Sequence, residues 1–344
     1  MHTELITLDP QQLNMSAVRK AADCLRDGGL VVFPTETVYG LGANATDAAA
    51  AQKIYAAKGR PSDNPLIIHV SRPEEAEAYA ITSETYYRLA RAFMPGPLTV
   101  ILPKKDSIPS SVTGGLQSVA VRCPSHPIAT ALISALGRPI AAPSANISGS
   151  PSPTSAAHVL HDLDGRVDMI LDGGECEIGL ESTIVKLEGD KAILLRPGAI
   201  TYDALCCVCS RVEISPAVIE SLKENEVALS PGMKYRHYAP HIPLVLLSGR
   251  DERVLAFLQE QQKTTSCTIL CYEEELPYLA PHDLICVGKR DDLATQAKRL
   301  FAALREADRG STTIIYAHLP VAEGLGLALY NRMIRAAAHT TLSV

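Results

Sequence analysis

The run KGRPSDNPL, Lys58 to Leu66, joins a helical pattern to a strand pattern, and it restricts the fold more tightly than any other stretch. Ala48 to Ala57 has helical character, and LIIHV, Leu66 to Val70, is a buried-strand run, so these residues form a helix-to-strand junction. Pro61 and Pro65 hold φ near its fixed value on either side of Asn64, a stiffness that a solvated loop does not require. Lys58 and Arg60 place two cations one residue apart at its start. A pre-set loop with paired cations reads as a phosphate or carboxylate site, because less ordering entropy is lost when an anion docks. An ordinary basic turn is the alternative on residue types alone.

The surrounding pattern is α/β. Ser16 to Asp27 repeats apolar residues at helical spacing up to Gly28-Gly29, and LVVF, Leu30 to Phe33, follows as a buried strand. A helix is expected over Glu74 to Phe93, strands in PGPLTVIL (Pro95 to Leu102) and SVAVRCP (Ser118 to Pro124), a helix over His126 to Leu136, and strand plus loop in PIAAPSAN (Pro139 to Asn146). VDMILDGG, STIVKLEG and AILLRPG add three β-type runs, with long mixed connections that do not repeat as βαβ units. At 344 residues the chain exceeds the size of one growing core, and two domains are expected. The boundaries are 1–212 for a twisted-sheet domain, 213–241 for a proline-containing linker and 242–344 for a small Rossmann-like domain. The last follows from alternating strands (IPLVLL, CTILC, DLICVG, TTIIYA) and helices (Glu252 to Gln262, Asp291 to Ala307, Leu325 to Ala338).

A net charge of -6 argues against a protein that coats nucleic acid, while leaving small anionic substrates open. Nine scattered cysteines lack the spacing of a disulfide scaffold, and Cys206, Cys207 and Cys209 have no second pair at zinc-site spacing. The N-terminus has no signal-like pattern and no stretch approaches the roughly 18 apolar residues of a membrane span, so a cytoplasmic protein is expected. No GxxxxGK[ST] loop occurs, GLGANA fails the GxGxxG spacing, and HxxH at His158 and His161 lacks a zinc-protease glutamate and reads as a helix face.

Further motifs bring small hydroxyls or single cations to strand ends: FPTETVYGLG, VAVRCP around Arg122, APSAN, LESTIV and LRPG around Arg196. Strand ends are where ligands collect in open α/β folds, so these residues are expected to converge on one cavity. Singly, Pro34, Gly40 and Gly42 also fit plain turn punctuation. Taken in order with KGRPSDNPL and PGPLT, the motifs resemble the YrdC-like threonylcarbamoyl-AMP synthases over residues 10 to 200. PGMKYRHYAP and EGLGLALYNRMIRAA resemble the linker and tail of the long, two-domain form.

The resemblance implies condensation of L-threonine, bicarbonate and ATP into threonylcarbamoyl-adenylate, with release of pyrophosphate. Mg²⁺ would accompany ATP, with no protein ligand named for it. The product would pass to the machinery that threonylcarbamoylates tRNA adenosine, without direct tRNA binding or membrane association. The family's catalytic quartet falls on Lys58, Arg60, Ser144 and Asn146. Thr35, Thr37, His69, Arg122, Ala142 and Ser182 would face threonine. Arg60, Asn64, Ser118, Ser144, Ser152, Arg196, Tyr235 and His237 would face ATP, the last two from a linker that covers the cavity together with the C-terminal domain. Two other readings are a double-stranded RNA-binding module, which the charge disfavours, and a carbamoyl-adenylate-forming maturation enzyme, whose zinc-finger cysteine pairs are missing here.

Overall fold

The computed structural model describes residues 2–219 and 237–344. They divide into two compact units, the first drawn from Met1–Ser148, Ser152–Glu177 and Glu181–Lys234, the second from Gly149–Pro151, Ile178–Leu180 and Tyr235–Val344.

The first unit is built on a mixed sheet. Its strands are β1 (Glu4–Thr7), β2 (Val31–Phe33), β3 (Gly40–Asn44), β4 (Ile67–His69), β5 (Leu98–Pro103), β6 (Ser118–Arg122), β7 (Ile140–Ala142), β8 (Met169–Asp172), β9 (Thr183–Glu188), β10 (Lys191–Arg196) and β11 (Arg211–Ile214). They lie in the order β1-β8-β2-β3-β7-β4-β6-β5-β9-β10-β11. Helices α1 (Met15–Arg26), α2 (Ala48–Lys58), α3 (Glu84–Phe93), α4 (Ser110–Thr113), α5 (Pro127–Leu136), α6 (Ala156–Leu163) and α7 (Tyr202–Cys206) connect them. Asn14 caps α1 by accepting from the Ser16 and Ala17 amides, and Val18, Ala21, Ala22 and Leu25 form its buried stripe. That stripe packs with Ile128, Leu132 and Leu136 of α5 in one core, where each buried large aliphatic contributes about 1.5–3 kcal/mol.

Strand register aligns the polar motifs. His69 pairs with Arg122, Arg122 with Thr99, and Ile67 with Ala142. Paired residues share a face of a sheet, so Ala142, His69, Arg122 and Thr99 stand on the same side. The alternation of SVAVR follows: Ser118, Ala120 and Arg122 take that side, and buried Val119 and Val121 take the other.

The structure corrects three readings. The helix expected over Glu74 to Phe93 is broken into a 3₁₀ turn, Pro73–Ala78, and α3. Between them Ala80 bridges to Lys104 and the Ile81 amide donates to Pro103 O at 2.8 Å, so pairing with the C-terminal end of β5 replaces helix at that point. Gly40 and Gly42 are not turn punctuation but lie inside β3, where a Cβ on Gly42 would come within 2.8 Å of Ile140 and 2.9 Å of the Phe33 ring. Glu213 and Ile214, placed at the start of the linker, belong to β11, which pairs parallel with β10.

The second unit carries an all-parallel sheet of β12 (Leu244–Ser248), β13 (Cys267–Cys271), β14 (Leu284–Cys286), β15 (Ile314–His318) and β16 (Thr341–Ser343), ordered β14-β13-β15-β12-β16. Helices α8 (Asp251–Thr264), α9 (Leu293–Ala307) and α10 (Gly326–Ala336) complete the Rossmann-like alternation; β16 was not expected. Among the described residues, no helix is long and apolar enough to cross a membrane.

Candidate active site

The cationic junction begins as a helix terminus. Asp47 caps α2 at its start, accepting from the Ala49 and Ala50 amides. At its end Gly59 takes the left-handed conformation with φ +62, and the Arg60 and Gly59 amides donate back to Tyr55 O and Ala56 O at 2.9 and 3.3 Å. This is a Schellman closure, which needs a residue without a Cβ penalty between the two cations. Gly59 therefore shares with the prolines the task of shaping the run. The Arg60 guanidinium folds back over its own loop, with Nη2 donating to Asn64 O at 3.3 Å and Pro65 O at 3.1 Å. Asn64 is buried, and its Oδ1 has no hydrogen-bond partner among the described residues. Gly114, at φ +60, backs the loop so closely that a Cβ there would lie 2.8 Å from Asp63 O.

Lys58 is 2% exposed and ties α2 to the PSAN loop. Its Nζ donates to Ser144 O at 2.5 Å, to Asn146 O, and to Asn146 Oδ1 at 3.4 Å. The Ser144 hydroxyl donates to Asn146 Oδ1 at 2.5 Å, and Asn146 Nδ2 donates to Ile147 O at 2.8 Å. An ammonium carries three protons, and these contacts use them within the chain. The side chain therefore ties three of the four expected catalytic residues together, Lys58 with Ser144 and Asn146, while Arg60 is held separately on its own loop.

The expected threonine residues gather around Arg122. Its Nη2 donates to Glu36 Oε1 at 2.7 Å and to Thr35 Oγ1 at 3.4 Å, and Arg122 and Glu36 side chains are each only 5% exposed. The Thr35 hydroxyl donates to Val38 O at 2.6 Å, so in its 2.8 Å bond with Thr37 it must accept. That order of protons leaves the lone pairs of Thr37 to accept from a ligand. His69 lies one strand away, edge-on to Phe33, with Nδ1 donating to Ile140 O at 3.3 Å. Burial, and after it the charge of Arg122, pushes this imidazole down to about 3, so it is neutral near pH 7 and its Nε2 is an acceptor.

Ser182 is fully buried and shares a 2.7 Å hydroxyl bond with Thr99, while Arg196 donates to Ser182 Oγ at 3.1 Å and to Ser182 O at 3.0 Å. Thr99 is in register with Arg122, so this chain adjoins the Arg122 cluster across one strand. Ser152 donates to Glu181 within the same unit. Ser118 opens β6 four residues before Arg122, a span of about 13 Å at strand rise. Tyr235 lies outside the described residues, and His237, which is described, belongs to the second unit.

Glu36 and Thr99 are the residues that the sequence reading missed. Glu36 carried a signal, as the one acid within a run of small and hydroxyl residues, but nothing local links it to an arginine 86 positions away. Among the described residues, no group of three or more His, Cys, Asp or Glu side chains is arranged to hold a metal ion.

Residues 23–198 match the Sua5/YciO/YrdC family described as "Telomere recombination", and residues 200–338 match the "Threonylcarbamoyl-AMP synthase, C-terminal domain". The chain is 45% identical over 337 residues to the threonylcarbamoyl-AMP synthase of Bacillus subtilis (strain 168), covering 97% of this chain and 95% of that one. It is also 45% identical over 337 residues to the enzyme of the same name from Pyrococcus abyssi, covering 95% and 96%. The crystal structure of P. abyssi Sua5 complexed with L-threonine superposes with a TM-score of 0.92 at 42% identity, covering 99% of this chain and all of that one. The chain belongs to the two-domain, Sua5-type threonylcarbamoyl-AMP synthase family.

Proposed function

We propose that this chain joins L-threonine, bicarbonate and ATP into threonylcarbamoyl-adenylate, and that the cluster around Arg122, Lys58 and Arg60 carries the reaction. The observation that supports it most is the buried guanidinium of Arg122 beside a turn with spare acceptors, in a chain so similar to a relative solved with L-threonine. Arg122 would pair with the threonine carboxylate, Thr37 and the Nε2 of His69 would accept from its hydroxyl or amine, and Ala142 and Ser182 would close the same face.

The threonine amine captures bicarbonate with loss of water, giving an N-carboxylate; one of its oxygens then attacks the α-phosphorus and pyrophosphate leaves. Two anions must approach each other in that step. Arg60 offsets their repulsion directly, and Lys58 contributes its charge while holding Ser144 and Asn146 in place to orient oxygens. Asn64, Ser118, Ser152, Arg196 and, by resemblance alone, Tyr235 and His237 are proposed for the nucleotide. Mg²⁺ would be held by phosphate oxygens and water. The adenylate would then pass, in the cytoplasm, to the enzymes that modify tRNA adenosine.

Mass spectrometry of a reaction of purified protein with the three substrates tests this proposal. Threonylcarbamoyl-adenylate should appear only when all three are present, and its absence with folded protein would overturn the reading.

A further inference from the structure

Arg122 has five N–H donors, and their use in the protein is uneven. Nη2 is engaged by Glu36 and Thr35, whereas Nε is buried with no hydrogen-bond partner among the described residues. The other oxygen of Glu36 accepts from the Ser125 amide at 3.3 Å. One carboxylate thus fixes one corner of the guanidinium and ties that corner to the turn that follows β6. Thr35, Glu36 and Thr37 are consecutive, so the turn that aims the arginine also presents the spare acceptor on Thr37. A buried ion pair is a poor source of net stability, because desolvation offsets much of the Coulomb gain, but a planar fork is useful only when its orientation is held.

We infer that Glu36 is a positioning residue for substrate recognition: it holds Arg122 by Nη2 so that the remaining donors of the guanidinium meet the carboxylate of L-threonine. This rests on the function proposed above, in which Arg122 receives that carboxylate. The opposing physical effect is clear. Glu36 also neutralises Arg122, and if it were only a counter-charge, its removal would strengthen the pull on the substrate and threonine would bind more tightly.

Glu36→Gln and Glu36→Asp separate the two. The first removes the charge and sets a side-chain amide N–H against the Ser125 N–H; the second keeps the charge but shortens the reach by one methylene. Positioning predicts about tenfold weaker L-threonine binding by calorimetry in both variants, with KM for threonine rising in parallel and KM for ATP and kcat within about twofold of the unaltered chain. Unchanged or tighter threonine binding in either folded variant overturns the inference, as does a joint rise in the threonine and ATP constants, which marks general loss of structure. Should the glutamine variant not fold, as judged by its thermal transition, the aspartate variant decides alone. If the unaltered chain itself binds no L-threonine, the proposed function and the inference both fall, whereas equal binding by unaltered and variant chains removes only the role of Glu36.

Discussion

Each unit buries a polar cluster, and the two are finished differently. In the second, His318 Nε2 meets Glu275 at 2.7 Å, Arg290 reaches Glu275 at 3.3 Å and Asp251 at 2.5 Å, and the Tyr272 ring stacks with both Arg290 and His318. The Tyr272 amide completes the carboxylate, donating to Glu275 Oε2 at 2.9 Å. In the first, Asn64 Oδ1 and Arg122 Nε are buried without partners among the described residues. A buried unpaired polar group costs about 1–3 kcal/mol, so a fold retains one where something else requires it. Both clusters occupy strand ends of an α/β sheet, so position alone does not distinguish them. Unused hydrogen-bonding capacity does: it supports the proposal that the first receives a ligand, whereas both oxygens of Glu275 in the second already have partners within the chain.

The contrast is testable through substitutions of falling effect. Arg60→Ala should lower pyrophosphate release on the order of 10²–10³-fold while circular dichroism stays native, because under the proposed function it removes a cation facing the charge that develops in the reaction. Lys58→Ala should act in the same direction and lower the melting temperature as well, since it strips donors from Ser144 O and Asn146 O much as Arg60→Ala strips them from Asn64 O and Pro65 O. Gly114→Ala should raise the KM for ATP by about tenfold, as the new methyl shifts Asp63 and with it the Asn64 loop. Glu275→Gln should leave both substrates bound as before and cost about 1–3 kcal/mol of stability by denaturant titration.

The smallest effects are in pH. The His69 imidazole protonates near 6.5 when unfolded and only near 3 when folded. The unfolded chain therefore binds more protons between those values, and the stability contributed by neutral His69 is whole above pH 6.5 and lost as pH falls toward 3. Threonine affinity measured between pH 6 and 8 should show no inflection from this residue. Burial raises the Glu275 carboxyl, but the bond and charge of His318, with the Tyr272 amide and Arg290, outweigh it and hold the group below 4.5. Its contribution is present above that value and disappears as acid protonates the folded group, so thermal melting of Glu275→Gln should converge on that of the unaltered chain at low pH.

Much of the fold was legible because its signals are local. The apolar period of α1, the buried runs of β2, β4 and β6, and the parallel alternation of the second unit need no distant information. The misses share one cause, which is tertiary context. Residues 79–83 keep helical composition, yet Ala80 and Ile81 are claimed by the end of β5. GLGAN has poor strand propensity, yet β3 forms because Phe33 and Ile140 fill the space that side chains on its glycines would need. The site was legible as residue types at strand ends, including both cations of the junction. Its connections were not: Lys58 bracing the PSAN loop and Glu36 fixing Arg122 each join residues more than 80 positions apart.

Calorimetric titration of L-threonine into the unaltered chain, Arg122→Ala and His318→Ala tests the contrast between the clusters most directly. The unaltered chain and His318→Ala should bind alike, the latter with a lower melting temperature, while Arg122→Ala loses about 10–100-fold in affinity with the removal of charge-assisted hydrogen bonds. Full threonine affinity in folded Arg122→Ala, or its loss in folded His318→Ala, would contradict the account.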